Sequence, residues 1–149
     1  MNSSSEPYTN ILIVEDNPLD VVLLRHAFKE QTEWPTKLAV VVDGQEAIDY
    51  LTHPEGNSTD LVILDLNLPK LDGEEVLKAI RQSDELSRLP VIIFSSSPKD
   101  VVRSRTDRMS VTPDCCVTKP MGIDEYSTLT KKFRQCYTNA ISGSPRAEI

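Results

Sequence analysis

Leu61-Val62-Ile63-Leu64-Asp65-Leu66-Asn67-Leu68-Pro69 runs four apolar residues straight into a carboxylate. An apolar run with no polar alternation marks a strand buried on both faces, and such strands are usually parallel. Three other stretches read the same way: Ile11-Leu12-Ile13-Val14, Leu38-Ala39-Val40-Val41-Val42 and Val91-Ile92-Ile93-Phe94. Cys115-Cys116-Val117 is a shorter fifth. Helical stripes lie between them. Leu19, Leu23 and Ala27 share one face, as do Ala47, Ile48 and Leu51. Val76, Leu77 and Ile80 form a third, after Asp72-Gly73, and Ile123, Tyr126, Leu129 and Phe133 form a long one. Pro98 to Thr112 is also assigned as helix from Val101 and Val102, although Arg103, Arg105 and Arg108 leave it few apolar partners. Asp43-Gly44 and Asp72-Gly73 read as turns before helices, and residues 53–59 as a loop. Strand and helix alternate five times. That order predicts an α/β domain, a doubly wound parallel sheet with helices on both faces.

The chain has 149 residues, enough for one sizeable core and too few for two ordinary domains. Hydrophobic residues make up 39% and charged residues 26%, the balance of a globular protein. The net charge of -7 repels phosphate backbones, so direct nucleic-acid binding is not expected. No apolar run approaches the roughly 20 residues a membrane span needs. The polar, Ser-rich start lacks the pattern of a signal peptide, and a cytoplasmic location is expected. Cys115, Cys116 and Cys136 have no metal-ligand spacing and are expected to be free thiols in an intracellular core. Residues 1–8 are assigned to a flexible N-terminus, 9–138 to a single domain and 139–149 to a flexible C-terminal tail. Trp34 is expected to cover the end of the first helix. His26 and His53 are expected at the surface, and Asp43 and Asp72 in turns.

The chemistry gathers just after the strands. Glu15 and Asp16 follow the first, Asp65 the third, Ser95-Ser96-Ser97 the fourth, and Lys119-Pro120 the fifth. Sites in open parallel sheets form at the carboxyl ends of the strands, where strand order reverses. If strands one and three are neighbours, Glu15, Asp16 and Asp65 converge. Two unit charges ~5 Å apart repel by about 3 kcal/mol at an effective dielectric of ~20. Converging carboxylates therefore either take up protons or hold a cation. No His or Cys stands with them, so an oxygen-liganded hard ion is expected. Magnesium fits because it uses few carboxylates and also binds phosphate oxygens. A phosphoryl group in transit spreads charge over three oxygens. The ion, the Lys119 ammonium and the Ser95 hydroxyl could each meet one. Asp65 is the candidate nucleophile, able to form an acyl phosphate.

These residues carry a resemblance. The stretches Ile11-Leu-Ile-Val-Glu15-Asp16-Asn17-Pro18-Leu-Asp20, Leu64-Asp65-Leu-Asn67-Leu-Pro69-Lys70-Leu-Asp72-Gly73, Phe94-Ser95-Ser96-Ser97 and Thr118-Lys119-Pro120 resemble a two-component response-regulator receiver domain. The wording looks most like the stand-alone regulators that partner bacterial phytochromes. The resemblance covers about residues 9–138. It implies a flavodoxin-like (βα)5 fold with strand order 2-1-3-4-5 in a single domain. It implies phosphorylation of Asp65, assisted by Ser95 and Lys119. Asp16, Asp65 and the backbone carbonyl of Asn67 would hold Mg2+ directly, with Glu15 acting more loosely through water; Mn2+ or Ca2+ could substitute. Pro120 would fix its loop, often through a cis bond. The implied partners are a sensor histidine kinase, a downstream histidine phosphotransfer protein and a second copy of the chain. With no DNA-binding or catalytic domain attached, output is expected through protein contacts.

Two departures qualify the pattern. The family often carries an aromatic switch residue three positions before the lysine, where Cys116 stands here. The usual Gly-Ala before the last strand is replaced by Met109 to Asp114, which includes Pro113. Two other functions compete. An aspartate-nucleophile phosphatase would need an acid–base Asp two residues after the nucleophile, where Asn67 stands. A phosphorylation-independent interaction module of the same fold would need no acidic cluster.

Overall fold

The computed structural model describes residues 8–54 and 58–143. The tails expected at 1–8 and 139–149, and the loop expected at 53–59, therefore fall partly outside the described residues. The elements run β1 (Thr9–Val14), α1 (Pro18–Glu30), β2 (Thr36–Val41), α2 (Gly44–Thr52), β3 (Leu61–Leu64), α3 (Gly73–Gln82), β4 (Val91–Ser95), α4 (Lys99–Arg108), β5 (Cys115–Thr118), a 3₁₀ segment (Ile123–Thr128) and α5 (Leu129–Ser142). The five strands form one parallel sheet in the order β2-β1-β3-β4-β5, the flavodoxin-like arrangement.

Strand parity divides the core into two layers, because successive side chains point to opposite faces. Ile11, Ile13, Leu61, Ile63, Ile92 and Phe94 face one layer, which α1 and α5 close with Leu24, Phe28 and Phe133. Leu12, Val14, Val62, Leu64, Val91 and Ile93 face the other, closed by Leu51 of α2, Val76, Leu77 and Ile80 of α3, and Val102 of α4. Both faces are covered, which is why these runs show no polar alternation.

The helix starts follow the expected turns. Asp43 Oδ1 accepts from Glu46 N at 2.7 Å, capping α2. Before α3, Asp72 N donates to Glu75 Oε1 at 3.0 Å. Trp34 packs on Phe28 near the end of α1, with ring centroids 5.9 Å apart, and its Nε1 donates to Thr9 Oγ1 at 3.0 Å. The altered segment before β5 is anchored by Asp114, whose Oδ2 accepts from Val91 N and from Arg81 Nη2, both at 2.8 Å.

Four expectations need correction. Leu19 is exposed, and Leu24, Ala27 and Phe28 form the buried face of α1 instead. The long last helix breaks into the 3₁₀ segment and α5, which leaves Ile123 exposed. Cys115 and Cys136 are joined by a disulfide that ties β5 to α5, so the three free thiols are reduced to Cys116. Both cysteines face the same core layer, with Cα atoms 5.9 Å apart, within bridging reach. The bond before Pro120 is trans, as there is no cis peptide among the described residues.

Gly73 lets α3 start directly beneath the end of β3. A Cβ placed there would overlap the carbonyl oxygen of Asp65 and come within 2.6 Å of Leu66 Cα. Its N–H donates to Leu66 O at 2.8 Å, so the backbone cannot retreat without losing a hydrogen bond. Gly73→Ala is expected to destabilise the fold by about 1–3 kcal/mol in urea unfolding. Gly122→Ala is the control: nothing lies within 4 Å of a Cβ there, and its midpoint should match wild type.

Candidate functional site

The strand ladders continue one residue past their ends. Val14 pairs with Leu64 in the β1–β3 register. Beyond that pair, Glu15 N donates to Val41 O at 3.0 Å and Asp65 N donates to Val14 O at 3.1 Å. On the other side Ser95 pairs with Thr118, and Lys119 N then donates to Ser95 O at 2.9 Å. The backbones of Glu15, Asp65 and Lys119 are thereby pinned to neighbouring strands, and their side chains share the carboxyl edge of the sheet. Glu15, Asp65 and Ser95 are buried.

Lys119 Nζ lies 2.8 Å from Asp20 Oδ2, 2.9 Å from Glu15 Oε1 and 3.2 Å from Asp65 Oδ2. Burial works against its charge, but the hydrogen bonds to Asp20 and Glu15, with the fields of Glu15 and Asp65, outweigh burial and hold the ammonium well above the usual lysine range. One ammonium cannot neutralise three carboxylates. The excess falls on the deepest. Burial, reinforced by the Asp65 carboxylate, pushes Glu15 up to about 7 against the pull of Lys119 and the Asn17 N–H.

Glu15, Asp16 and Asp65 each bring one carboxylate oxygen within 4.8 Å of the others. An all-oxygen set with surplus negative charge fits a hard divalent cation. The sequence-based candidates Glu15, Asp16, Asp65 and Lys119 thus converge. Ser95 stands at the end of β4 with its Oγ accepting from Ser97 N at 3.1 Å. Asn67 N donates to Asp65 Oδ1 at 3.2 Å, which keeps the start of the β3–α3 loop folded against the site.

Three further residues were not assigned from sequence. Asp20 holds Lys119 and also accepts from Tyr126 Oη at 2.9 Å. Burial and that carboxylate push the Tyr126 phenol upward. Arg105 of α4 pairs with both carboxylate oxygens of Glu74, at 2.7 and 2.9 Å, and donates to Asn67 Oδ1 at 2.7 Å. Asp20 has a weak sequence signal, three residues into the cap of α1; Tyr126 and Arg105 carried only the signal of helix-pattern positions. Cys116 is half-buried, and burial pushes its thiol up, so it stands as a neutral group where the aromatic was missing.

Comparison with known proteins matches the chain to a family. The model of the response regulator receiver domain matches residues 11–131. A protein described as "Probable methanogenesis regulatory protein FilR2" of Methanothrix harundinacea is 41% identical over 128 residues, spanning 84% of this chain and 81% of its own. Response regulator Rcp1 of Synechocystis sp. is 33% identical, over 95% of this chain and 97% of its own. Among solved structures, the phosphorylated cyanobacterial phytochrome response regulator RcpA superposes with a TM-score of 0.74 at 31% identity, covering 88% of this chain and 94% of that one. A manganese-bound form of response regulator Rcp1 gives 0.70 at 32% identity, covering 85% and 92%.

The charge imbalance sets a pH dependence in divalent-free buffer. The Glu15 carboxyl loses its proton near 7 in the folded chain and near 4.5 when unfolded. Between those values the folded state binds more protons, so its stability falls as pH rises. Glu15→Gln removes that loss. With EDTA present, the variant is expected to be more stable than wild type by about 1–2 kcal/mol at pH 8, after allowance for solvent screening at the sheet edge. The difference should vanish below about pH 4.5, where the wild-type carboxyl is protonated in both states. Urea titrations across that range measure it; a variant less stable than wild type at pH 8 would mean that the ion pair with Lys119 dominates.

Proposed function

The chain belongs to the response regulator receiver domain family and is a signalling protein of two-component systems, and on that premise we propose that it accepts a phosphoryl group on Asp65 from a sensor histidine kinase. The observation that carries this reading is the shared ammonium: Lys119 Nζ reaches both Asp65 and Glu15 while Asp16 completes the acidic cluster. An Asp65 carboxylate oxygen forms the bond to phosphorus as the bond to the donor breaks, and the electron pair leaves with the donor's imidazole. Lys119 donates to one phosphoryl oxygen and the Ser95 hydroxyl to another. Water later attacks phosphorus, releases phosphate and restores the carboxylate, so the chain assists its own dephosphorylation.

Glu15, Asp16, Asp65 and the Asn67 carbonyl would hold Mg2+, which supplies positive charge for the phosphoryl oxygens; Mn2+ or Ca2+ could substitute. That a similar response regulator has a manganese-bound form supports a divalent ion here. Asn67 cannot serve as an acid–base at neutral pH, which disfavours a phosphatase. The receiver domain is assigned to residues 9–138 and a cytoplasmic location is inferred; no helix among the described residues is long and apolar enough to cross a membrane. The phytochrome regulators among the similar structures favour a phytochrome-type kinase as donor. Leu19 and Val22 of α1, with Met121 and Ile123 after Lys119, are exposed apolar residues flanking the site and suit a protein partner that brings a phosphohistidine to it. Output passes through protein contacts, with a histidine phosphotransfer protein or a second copy of the chain as receiving partners.

Incubation with acetyl phosphate and Mg2+, followed by intact mass, tests the reading. Wild type is expected to gain one phosphoryl group, and Asp65→Asn or excess EDTA should abolish the gain. Wild type that stays unlabelled both here and with a phosphorylated histidine kinase would overturn it.

A further inference from the structure

An ammonium has three donors, and in Lys119 all three are committed to carboxylates. Glu15 and Asp65 belong to the acidic cluster. Asp20 does not. It sits in the first turn of α1, and its second oxygen accepts from the Tyr126 hydroxyl at 2.9 Å. Tyr126 lies buried in the 3₁₀ segment that leads into α5, edge-on to Phe94 at 6.2 Å. Phe94 precedes Ser95, and Lys119 Nζ lies 5.7 Å from the same ring. Side chains from α1, β4 and the 3₁₀ segment therefore gather around one cation.

We propose that Asp20 and Tyr126 are positioning residues that form a release latch for Lys119, with Asp20 drawing the ammonium away from Asp65 and the Tyr126 hydroxyl keeping Asp20 hydrogen-bonded once Lys119 lets go. The inference rests on the reading of Asp65 as phosphoryl acceptor. A phosphoryl group arriving on Asp65 needs an N–H of Lys119, and each is already in use. One bond must be surrendered. Giving up Asp20 leaves Lys119 between Glu15 and Asp65, the two carboxylates beside the incoming group; giving up Glu15 does not. Asp20 can be released because Tyr126 still donates to it, whereas a half-buried carboxylate stripped of both donors would be left to solvent at one edge only. The exchange also changes the load on the Tyr126 hydroxyl, so the charge at Asp65 reaches the start of α5. That route needs no aromatic residue at position 116.

Opposite signs at two touching residues provide the test. The labelling rate is measured with acetyl phosphate at saturating Mg2+: Asp65 Oδ bonds phosphorus while the P–O bond of the donor breaks and acetate leaves with the electron pair. Tyr126→Phe leaves Asp20 dependent on Lys119 and should slow labelling by about fivefold, the value of one net hydrogen bond. Asp20→Asn frees Lys119 and should speed labelling by a similar factor. The double variant should behave as Asp20→Asn alone, because the hydroxyl acts only through the carboxylate. A general packing role would slow both single variants. The second readout needs no phosphorylation. The 15N resonance of the Lys119 ammonium should move in Tyr126→Phe, although the hydroxyl is not its direct partner, and should be the same in Asp20→Asn and in the double variant. Rates that fall in both single variants, or a Lys119 resonance that ignores Tyr126→Phe, would overturn the latch. Failure of wild type to label with acetyl phosphate and also with a phosphorylated histidine kinase would instead overturn the acceptor reading, and the resonance would still decide the latch.

Discussion

Three carboxylates against one ammonium is an arrangement that isolated side chains would not adopt. In water they would separate, or take up protons, to relieve a repulsion of a few kcal/mol. Here they are prevented from separating. Glu15 and Asp65 extend neighbouring parallel strands by one residue, and their N–H groups are fixed to Val41 O and Val14 O. Those strands are buried on both faces, so sliding either one by a residue would exchange its side chains between the two core layers. The packing of Ile13, Ile63, Val14 and Leu64 is therefore what holds the charges together. The raised proton affinity of Glu15 is the local sign of that enforced proximity.

This origin explains what could be read from the sequence. Three of the four long runs lead straight into a residue of the site, and the short fifth ends just before one, because apolar burial and the carboxyl edge are consecutive along a strand. The order of strands and helices and the four converging residues Glu15, Asp16, Asp65 and Lys119 follow from that. Residues set by helix rotation were harder. Leu19 has the spacing of a buried position, but α1 turns Leu24 and Phe28 inward, which leaves Leu19 on the rim. Ile123 and Tyr126 have helical spacing too, yet Ile123, at the very start of the 3₁₀ segment, is exposed while Tyr126 is buried. Asp20, Tyr126 and Arg105 act through partners 31 to 106 residues away in sequence, and spacing within one element carries no trace of such pairing. The same holds for Cys115 and Cys136, whose bridge depends on how α5 lies against β5.

The site is tied to both layers of the fold, but by bonds of different kinds. On the α1 and α5 side, Lys119 is a flexible point charge among three similar acceptors, and the Tyr126 hydroxyl stands ready behind one of them. On the α3 and α4 side, Arg105 grips Glu74 through two nitrogens and reaches Asn67 with a third. A guanidinium fork matched to a carboxylate has one good geometry, and shifting it breaks two bonds at once. An ammonium can trade one carboxylate for another with little change in its own energy. New charge arriving at Asp65 therefore meets a rigid wall at the β3–α3 loop and an exchangeable cation opposite it. The rearrangement that costs least lies on the Lys119 side, and it runs through Asp20 to the segment that begins α5.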